Sequence, residues 1–472
     1  MQASIFNIRV PLKERDDVFL LNTLTDAQLI VSPDVAALLD RKSFEALTDS
    51  ERDAVDLLSE NGFFVSDYET DRRKLNDYFH SIKHGAEQLH VTVLTTLQCN
   101  FACGYCYQGD REDFNQFADK MTLETSAKLA RWIEGELDRL RPATFAMTFF
   151  GGEPLLNLPV VYDLAERTWQ ATQARGIKQT LSMITNGLLL TTDVVDRLVP
   201  RGLRGIKITL DGDKHTHDRM RPLRGGQGTF DRIIENIRNV ADRTAISIGG
   251  NFDESSVDSF PGLLDFLSKQ DFADKLVKVN FKPIVRDMAP PPPKPSLKGL
   301  LPLIPVSDTG KTLGGTCMTS AGAGGGSTCD SCSFLDEKMV QLREDTRRHG
   351  LPGPSGVPGG PCHVHHENAH TVGPDGSLYA CPGFTGELGL STGHISGQHD
   401  SWRENNKKKF DTLDPWKECG DCAYLPTCAG GCLTASYAQL GDVNTPTCHK
   451  PTFESAVIAL ANRVSTQQET VQ

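Results

Sequence analysis

The sequence has no hydrophobic run long enough to span a bilayer, which takes about 20 apolar residues. It also has no basic excess, because 49 Lys and Arg stand against 61 Asp and Glu for a formal net charge of −12. A nucleic-acid binder normally presents a basic face, so we expect neither nucleic acid nor a membrane as a partner. The amino-terminal residues lack the basic and then apolar regions of a signal peptide. These absences together predict a cytoplasmic protein.

Cysteine is absent from the first 98 residues, yet the chain contains 13 in all. Three lie within Cys99–Cys106, and the others all follow residue 316. Disulfides rarely persist in the cytosol, and an odd number of thiols cannot pair completely. Thiols clustered at short spacings in a reducing compartment are typical of metal or iron–sulfur ligands.

Residues 1–88 have the pattern of a separate module. Apolar runs at Val18–Asn22 and Gln28–Val31 flank a turn and predict a β-hairpin. Helix start signals follow at Ser32-Pro33 and at Thr48, where Glu51 completes a capping box. This order suggests a winged-helix-like shape. It resembles the peptide-recognition elements that hold the leaders of ribosomally synthesised precursor peptides, although an ordinary N-terminal scaffold is the alternative.

Strands and helices alternate between residues 89 and 285. The predicted strands are Val91–Thr96, Phe145–Phe150, Gln179–Thr185, Gly205–Leu210, Ala245–Asn251 and Leu276–Ile284. The predicted helices are Leu123–Leu140, Val160–Gln173, Asp193–Leu198, Phe230–Ala241 and Val257–Lys269. Such alternation is typical of βαβ units and a parallel sheet. We therefore expect an α/β fold with a partial (β/α)6 TIM-like barrel.

The remaining chain divides by composition into three segments. Residues 286–360 are rich in Pro and Gly and are predicted to be a linker or insertion. Residues 361–455 are rich in cysteine and turns, so we expect a C-terminal iron–sulfur domain held together by metal. Residues 456–472 are predicted to form a C-terminal helix and tail.

The first cysteine group, Cys99, Cys103 and Cys106, has the spacing C-x3-C-x2-C directly after the first predicted strand of the barrel. Three cysteines on a four-iron cluster leave one iron without a protein ligand, whereas a zinc site normally closes with four ligands. The spacing alone would still allow zinc or chance.

Three further motifs stand at the ends of the next three strands. They are Gly151-Gly152-Glu153-Pro154, Thr185-Asn186-Gly187 and Thr209-Leu210-Asp211-Gly212. Ligands of parallel β/α folds bind at the carboxyl ends of the strands. Each motif by itself could be a turn, but all of them on one face predict a ligand site there.

Together with the cysteine loop, these motifs resemble the radical S-adenosylmethionine (SAM) superfamily. The run from Asp211 to Pro222 is similar to the branch that contains anaerobic sulfatase-maturating enzymes and ribosomal-peptide maturases. The resemblance implies a [4Fe-4S] cluster whose open iron chelates SAM, which is cleaved by one electron to a 5′-deoxyadenosyl radical. It also implies SAM contacts by Gly151, Gly152 and Glu153 (amino group), Asn186 and Thr209 (ribose) and Tyr105 (adenine). Tyr105 could instead simply pack the loop.

The C-terminal cysteines resemble the SPASM domain of that family in their order and spacing. The resemblance implies two auxiliary [4Fe-4S] clusters. One would be held by Cys419, Cys422, Cys428 and Cys448, and the other by Cys362, Cys381 and Cys432. A fourth ligand of the second set could be missing, or could come from Cys317, Cys329, Cys332 or a histidine in His363–His366. Zinc at Cys419–Cys432 is the alternative.

The favoured hypothesis is a radical SAM/SPASM maturase, an oxidoreductase that modifies a precursor peptide bound through its leader. A thioether between a cysteine sulfur and a carbon is the first expectation for the product. Carbon–carbon or carbon–oxygen crosslinking and epimerisation remain alternatives, and formylglycine formation is less favoured. A flavodoxin or ferredoxin would supply electrons. A non-enzymatic iron–sulfur sensor or scaffold is the other class, and the sequence assigns no catalytic acid or base.

Overall fold

A computed structural model describes residues 1–12, 15–106, 118–284, 330–354, 360–448 and 450–469. The amino-terminal part contains two small sheets and three helices. The strands are β1 (Gln2–Ala3), β2 (Asn7–Pro11), β3 (Val18–Asn22), β4 (Ala27–Val31) and β5 (Phe64–Val65), and the helices are α1 (Pro33–Ala37), α2 (Asp49–Glu60) and α3 (Tyr68–His84). Strands β2, β3 and β4 form one antiparallel sheet, and β1 pairs with β5.

The local signals read from the amino-terminal sequence correspond to observed elements. The predicted hairpin is β3 and β4, and Pro33 begins α1. The capping box is confirmed: the Thr48 hydroxyl accepts from the Glu51 N–H, and the Glu51 carboxylate accepts from the Thr48 N–H. Helix α3 was not predicted. Its start is nevertheless legible, because the Asp67 carboxylate accepts from the Thr70 N–H as an N-cap.

The central part of the chain alternates strands and helices, as the sequence predicts. Its strands are β6 (Gln88–Leu94), β7 (Thr144–Phe150), β8 (Lys178–Thr185), β9 (Leu203–Thr209), β10 (Ala245–Phe252) and β11 (Leu276–Pro283). Its helices are α4 (Leu123–Leu140), α5 (Leu158–Gln173), α6 (Thr192–Leu198), α7 (Lys214–Met220), α8 (Phe230–Val240) and α9 (Phe260–Ser268). Each strand is parallel to the next in chain order, from β6 to β11. The α/β fold with a parallel sheet is therefore confirmed.

The helices cover one face of this sheet. Alternate strand residues such as Met147, Ile206 and Ile248 are buried together with helix residues such as Ile133 and Ile233 in one apolar core. The strands follow one another across the sheet in chain order. Right-handed crossovers between such strands place every helix on the same side of the sheet, as in a barrel. The strand residues between the core residues point to the opposite face, which we call the inner face.

The carboxy-terminal part adds strands β12 (Ala369–Val372), β13 (Ser377–Tyr379) and β14 (Gly393–His394) to the same sheet. Strand β12 runs parallel to β6, with His370 opposite Val91, and β13 returns antiparallel to β12. The helices that follow α9 are α10 (Asp330–Arg348), α11 (Ser401–Asp411), α12 (Leu425–Cys428), α13 (Leu433–Leu440) and α14 (Lys450–Glu469). The cysteine-rich part thus continues the sheet past the strand that leads into the cysteine loop.

Helix α10 lies inside residues 286–360, which were expected to be a linker or insertion. Its residues Met339 and Leu342 are buried in the central core, and the Val279 N–H donates to the Pro352 carbonyl at 2.7 Å. The carboxy-terminal section of the expected linker is therefore folded against β11. The Pro- and Gly-rich stretch before it, residues 285–329, lies outside the described residues.

The amino-terminal elements pack against the cysteine-rich part. The Phe79 ring of α3 stacks on Trp416 at 4.3 Å between centroids, and Arg72 of α3 pairs with Asp421 at 3.3 Å. Strand β3 contributes Phe19 and Leu21 to a cluster with Val457 of α14. Within the described residues, no helix is both long and apolar enough to cross a membrane.

Candidate active site at the cysteine loop

The loop with Cys99, Cys103 and Cys106 follows β6 at the carboxyl edge of the parallel sheet. Two backbone hydrogen bonds tie it to the segment after α7. The Ala102 N–H donates to the Pro222 carbonyl at 2.9 Å, and the Arg224 N–H donates to the Asn100 carbonyl at 3.2 Å. These bonds hold the cysteines beside the ends of the strands, where the sequence predicts a ligand.

The two glycines after β7 let the chain approach the start of this loop. The Gly152 N–H donates to the Thr96 carbonyl and the Glu153 N–H to the Gln98 carbonyl, both at 2.8 Å. A Cβ atom at Gly151 would overlap the Thr96 carbonyl oxygen, and one at Gly152 would overlap that of Gln98. Glycine is required here because no side chain fits between the two backbones.

Glu153 is fully buried and joins the end of β7 to the end of β8. Its carboxylate accepts from the Thr185 hydroxyl at 2.7 Å, the Asn186 N–H at 2.8 Å and the Leu155 N–H at 3.1 Å. Burial raises the pKa of Glu153, while these hydrogen bonds favour its ionised form. The Glu153 carboxylate therefore connects the ends of β7 and β8 through its own hydrogen bonds.

A second buried network joins the cysteine loop to β9 and β10. The Tyr105 hydroxyl donates to the Asp211 carboxylate and accepts from Arg221 Nη1 at 2.7 Å. Asp211 also accepts from the Asn251 N–H at 2.7 Å and lies 3.6 Å from Arg221. Tyr105 thus connects the loop to Asp211 and Arg221 through its hydroxyl, and the expected contact of Tyr105 with adenine stays a prediction.

Arg221 brings a positive charge close to the cysteine loop. Its burial opposes that charge, but the neighbouring Tyr105, Cys103 and Asp211 raise the pKa of the guanidinium well above its usual value. Arg221 also lies 5.5 Å from the centre of the Phe101 ring. A fixed cation beside the loop favours negative charge on thiolates or on a bound carboxylate.

His217 supports the backbone of this network through hydrogen bonds of its ring. Its Nδ1 accepts from the Asp211 N–H at 3.1 Å, which leaves Nε2 as the donor to the Thr229 hydroxyl at 3.1 Å. Thr229 in turn donates to the Arg221 carbonyl at 2.9 Å. Burial and then the Arg221 charge lower the pKa of His217 well below its usual value, so the ring is neutral. Its role is to position Asp211 and Arg221.

The three cysteines of the loop are of the residue type that ligates iron–sulfur clusters. Burial raises the pKa of Cys99 to about 12 and also raises that of Cys103, and each thiol is close enough to the next to reinforce the shift. Asn186 lies 4.0 Å from the Cys99 sulfur through its Nδ2. Metal displaces protons from such thiols, and buried thiolates need the charge compensation that metal supplies.

The sequence identified part of this network and missed the rest. Asn186 donates to the Asn100 side chain at 2.7 Å, so it supports the loop directly. Thr209 stands at the end of β9 beside Gly249. The roles of Asp211, Arg221 and Asn251 were not predicted, although the first two belong to the run that suggested the family branch. Their polar types at strand and helix ends were the available signal.

The interactions between the C-terminal cysteines follow the two expected sets, and the role of these cysteines as cluster ligands stays a prediction. Burial raises the pKa of Cys362 and of Cys381. The nearby Cys432 adds to both shifts, and Cys362 adds to that of Cys381. Burial also raises the pKa of Cys419 and of Cys428. The nearby Cys422 and Cys448 add to both shifts, and Cys419 adds to that of Cys428. None of the described cysteines is in a disulfide.

A tight turn between Cys428 and Cys432 directs the two cysteines to different groups. Ala429, Gly430 and Gly431 all have positive φ, and the Thr447 N–H donates to the Gly430 carbonyl at 2.8 Å. The Cys432 N–H donates to the Thr447 hydroxyl at 2.7 Å, which brings Cys448 beside the turn. The C-x3-C spacing is thus the link between the groups.

Of the additional ligands considered from the sequence, the structure places the histidines but not the three cysteine thiols. Cys317 and Cys329 lie outside the described residues, as does the side chain of Cys332. His363 packs against the ring of His90 at 4.2 Å between centroids. Burial lowers the pKa of His365 to about 4, so this ring is neutral.

Comparison with known proteins agrees with this geometry. Residues 93–252 match the model of the radical SAM superfamily. Fe-coproporphyrin III synthase of Methanosarcina barkeri is 27% identical over 43% of this chain and 46% of its own length. GTP 3′,8-cyclase of a Synechococcus species is 33% identical over 30% of this chain and 39% of its own length. The chain thus spans less than half of these curated relatives.

A solved structure of anSMEcpe with bound AdoMet and Kp18Cys peptide has the same fold over most of the chain. It aligns with a TM-score of 0.58 and 16% identity, covering 80% of this chain and 99% of that one. The matched superfamily segment contains the cysteine loop, Glu153, Asn186 and Asp211. The chain therefore contains a radical SAM domain, with the Cys99–Cys106 loop at the carboxyl ends of its parallel strands.

Proposed function

We propose that this protein is a radical SAM enzyme that modifies a ribosomally made precursor peptide. Cys99, Cys103 and Cys106 would hold a [4Fe-4S] cluster, and the neighbouring strand ends would hold SAM. When bound, these cofactors supply a 5′-deoxyadenosyl radical that abstracts hydrogen from a substrate. The chain's own residues position the loop.

The observation that supports this proposal most directly is that contacts hold the cysteine loop on both sides. Glu153 and Asn186 support it from β7 and β8, while Tyr105 connects it to Asp211 at the end of β9. Arg221 supplies a buried positive charge next to the thiols. A cluster that binds an anionic carboxylate of SAM gains from such a fixed cation.

A peptide substrate is supported by two independent features. A protein of the same fold has been solved with the Cp18Cys peptide bound, at a TM-score of 0.56. The amino-terminal sheet also keeps an outer edge on β4, since β4 pairs only with β3 among the described strands. A leader peptide can add to such an edge by backbone hydrogen bonds.

The two C-terminal cysteine groups would hold auxiliary clusters beside the amino-terminal part of the chain. Trp416, which stacks on Phe79 of the amino-terminal part, lies three residues before Cys419. A three-cysteine group leaves one iron open to bind a substrate thiolate, and a sulfur held there would be oriented for bond formation. Thioether formation is therefore our first proposal for the product, with a flavodoxin or ferredoxin as electron donor.

Cleavage of SAM tests the enzymatic part of this proposal. Reconstituted protein with SAM and dithionite should produce 5′-deoxyadenosine, and the Cys99→Ala variant should produce none. Cys381→Ala, from the three-cysteine group, is the matched control and should still cleave SAM. Absence of 5′-deoxyadenosine from the unaltered protein would instead favour a cluster-bearing sensor or scaffold.

The mass of a treated precursor tests the proposed product. A precursor encoded beside the gene should lose two hydrogens, and one of its cysteines should no longer react with iodoacetamide. The same mass loss with every thiol free would indicate a carbon–carbon or carbon–oxygen crosslink. Unchanged mass with altered stereochemistry would indicate epimerisation, and an aldehyde that reacts with hydrazine would indicate formylglycine.

A further inference from the structure

Two lysines stand in one row across three neighbouring strands of the radical SAM domain. Lys207 of β9 is opposite Ser247 of β10, and Ser247 is opposite Lys278 of β11. Paired residues of parallel strands point to the same side of a sheet. The adjacent Ile206, Ile248 and Val279 are buried against the helices, so both lysines point to the inner face.

A third lysine lies on the same face, closer to the strand ends. Lys282 is four residues beyond Lys278 on β11 and is opposite Asn251 of β10. Asn251 contacts Asp211 through its backbone N–H and lies 3.4 Å from the Tyr105 hydroxyl through Nδ2. The group of Lys207, Lys278 and Lys282, which we call the lysine triad, thus extends from within the sheet to the edge of the SAM site.

The middle strand leaves space for these side chains to converge. Between Ser247 and Asn251, β10 has Gly249, and a Cβ atom there would lie 2.5 Å from Cε of Lys207. Lys207 therefore extends across β10 toward Asn280, which is opposite Gly249 and lies between the two lysines of β11. A larger residue than glycine would prevent this arrangement.

The lysine triad carries positive charge that the described residues do not neutralise. None of its members forms an ion pair with a described acidic side chain, in a protein whose formal net charge is −12. Burial, and then repulsion from Lys282 and Lys278, lowers the pKa of Lys207 to about 8. All three side chains are nevertheless accessible to solvent. Three cations on one face of the sheet, without a described acidic partner, form a surface that attracts an anion.

Between the lysines, one polar atom is also left without a partner. The Asn280 side-chain oxygen is buried and accepts no hydrogen bond from the described residues. A buried acceptor without a donor is costly, and a ligand N–H would satisfy it. Cations beside a free acceptor match a group that carries both a carboxylate and an amide N–H.

We propose that the lysine triad binds a carboxylate of the substrate peptide. This contact would place the neighbouring residue of the peptide next to the SAM site at the strand ends. This inference rests on the proposed function, since a peptide carries its carboxylates without any further modification. An acidic side chain or a carboxyl terminus would be held by Lys207 and its partners, with a backbone N–H on Asn280. The triad would then select which carbon of the peptide faces the strand ends.

Competitive acetylation of the reconstituted full-length protein tests this site without requiring turnover. The probes are acetyl-Gly-Asp-Gly-amide and its Asn counterpart, and labelling of each lysine is quantified by peptide mass spectrometry. With the Asp peptide at ~3 times its Kd, labelling of Lys207 should fall about fourfold by mass action. The Asn peptide should not protect Lys207. Lys128 and Lys269, which pair with Glu124 and Asp265 on helix surfaces, are the internal controls and should label equally throughout.

Matched variants distinguish the triad from a general charge effect. Lys278→Gln/Lys282→Gln should abolish protection of Lys207, whereas Lys128→Gln/Lys269→Gln should leave it intact. Equal labelling with both peptides would overturn the proposal. Protection by inorganic phosphate that matches or exceeds that by the Asp peptide would overturn the assignment to a carboxylate. Formation of 5′-deoxyadenosine in the same preparation keeps the two proposals separate, because SAM cleavage without protection contradicts only the triad.

Discussion

Tyr105 of the cysteine loop donates a hydrogen bond to Asp211, which is fully buried at the carboxyl end of β9. Backbone contacts to the segment after α7 and the Asn186 side chain also hold the loop. The Tyr105 hydroxyl connects the cysteine loop by hydrogen bonds to both members of the Asp211–Arg221 pair. Removing the Tyr105 hydroxyl should make the loop more mobile while leaving its three cysteines unchanged.

Tyr105→Phe should accelerate amide hydrogen exchange within Cys99–Cys106. Losing a hydrogen bond to a charged group costs about 1.5–3 kcal/mol, which corresponds to roughly 10- to 100-fold more frequent local opening. Exchange measured by mass spectrometry on the metal-free protein reports this directly. Tyr68→Phe, at an exposed tyrosine of α3, is the control and should leave loop exchange unchanged. Unaltered exchange in Tyr105→Phe would show that the backbone contacts suffice.

Gly152→Ala should prevent stable assembly of the first cluster. The added Cβ would overlap the Gln98 carbonyl and displace the start of the cysteine loop. Iron per chain after reconstitution should fall by about four, the content of one cluster, while iron in the proposed auxiliary clusters is retained. Gly135→Ala is the matched control, because nothing lies near that position on α4. Full iron content in Gly152→Ala would contradict the close approach seen here.

The grouping of the C-terminal cysteines predicts how iron losses combine. Cys419→Ala/Cys428→Ala removes two ligands of one group and should lose about four iron per chain. Cys428→Ala/Cys432→Ala removes one ligand from each group and should lose about eight. Both double variants delete two thiols, so each is the control for the other. Equal losses from the two variants would mean that the groups form a single site.

His370 predicts a loss of stability in mild acid. Burial lowers its pKa to about 4, and its ring packs edge-on against Trp132 with Nε2 unpartnered among the described residues. The unfolded chain binds a proton below its ordinary pKa near 6.5, whereas the folded chain does not until about pH 4. Stability is therefore complete above pH 6.5 and falls between these values, by roughly 1–2 kcal/mol for this residue at pH 5.

Urea unfolding of the metal-free protein at pH 7 and pH 5 measures this effect. His370→Gln should reduce the difference in the free energy of unfolding between the two pH values. His399→Gln, at a side chain that is 89% exposed, should leave that difference as it is. An unchanged difference in His370→Gln would assign the acid sensitivity to other groups.

Much of the fold could be predicted because its signals are local. The α4 helix was predicted at its observed bounds, Leu123–Leu140, since Thr122 caps its start and apolar residues recur at helical spacing. Helix α10 was missed because the Pro- and Gly-rich composition around it suggested an extended linker. Its burial depends on contacts with β11 and α14, which are distant in sequence.

The candidate site was predictable where spacing carries the chemistry. Three cysteines at C-x3-C-x2-C suggest a cluster loop, and the strand-end motifs turn that suggestion into a predicted SAM site. Arg221 and Asp211, however, meet Tyr105 only after the strands have assembled. The lysine triad is a further example, because Lys207 and Lys282 are 75 positions apart and become neighbours through the register of β9, β10 and β11. No periodic pattern within either segment indicates that juxtaposition.

Strand β6 carries the cysteine loop at one end and pairs with β12 of the cysteine-rich part along its side. A chain cut after β11 would leave β6, with four apolar residues among its seven, as a bare parallel edge, which is a form of surface that promotes aggregation. The radical SAM segment is thus not an interchangeable cassette. Any chimera that borrows this catalytic sheet would have to bring β12 and its hairpin with it, or supply another strand in their place.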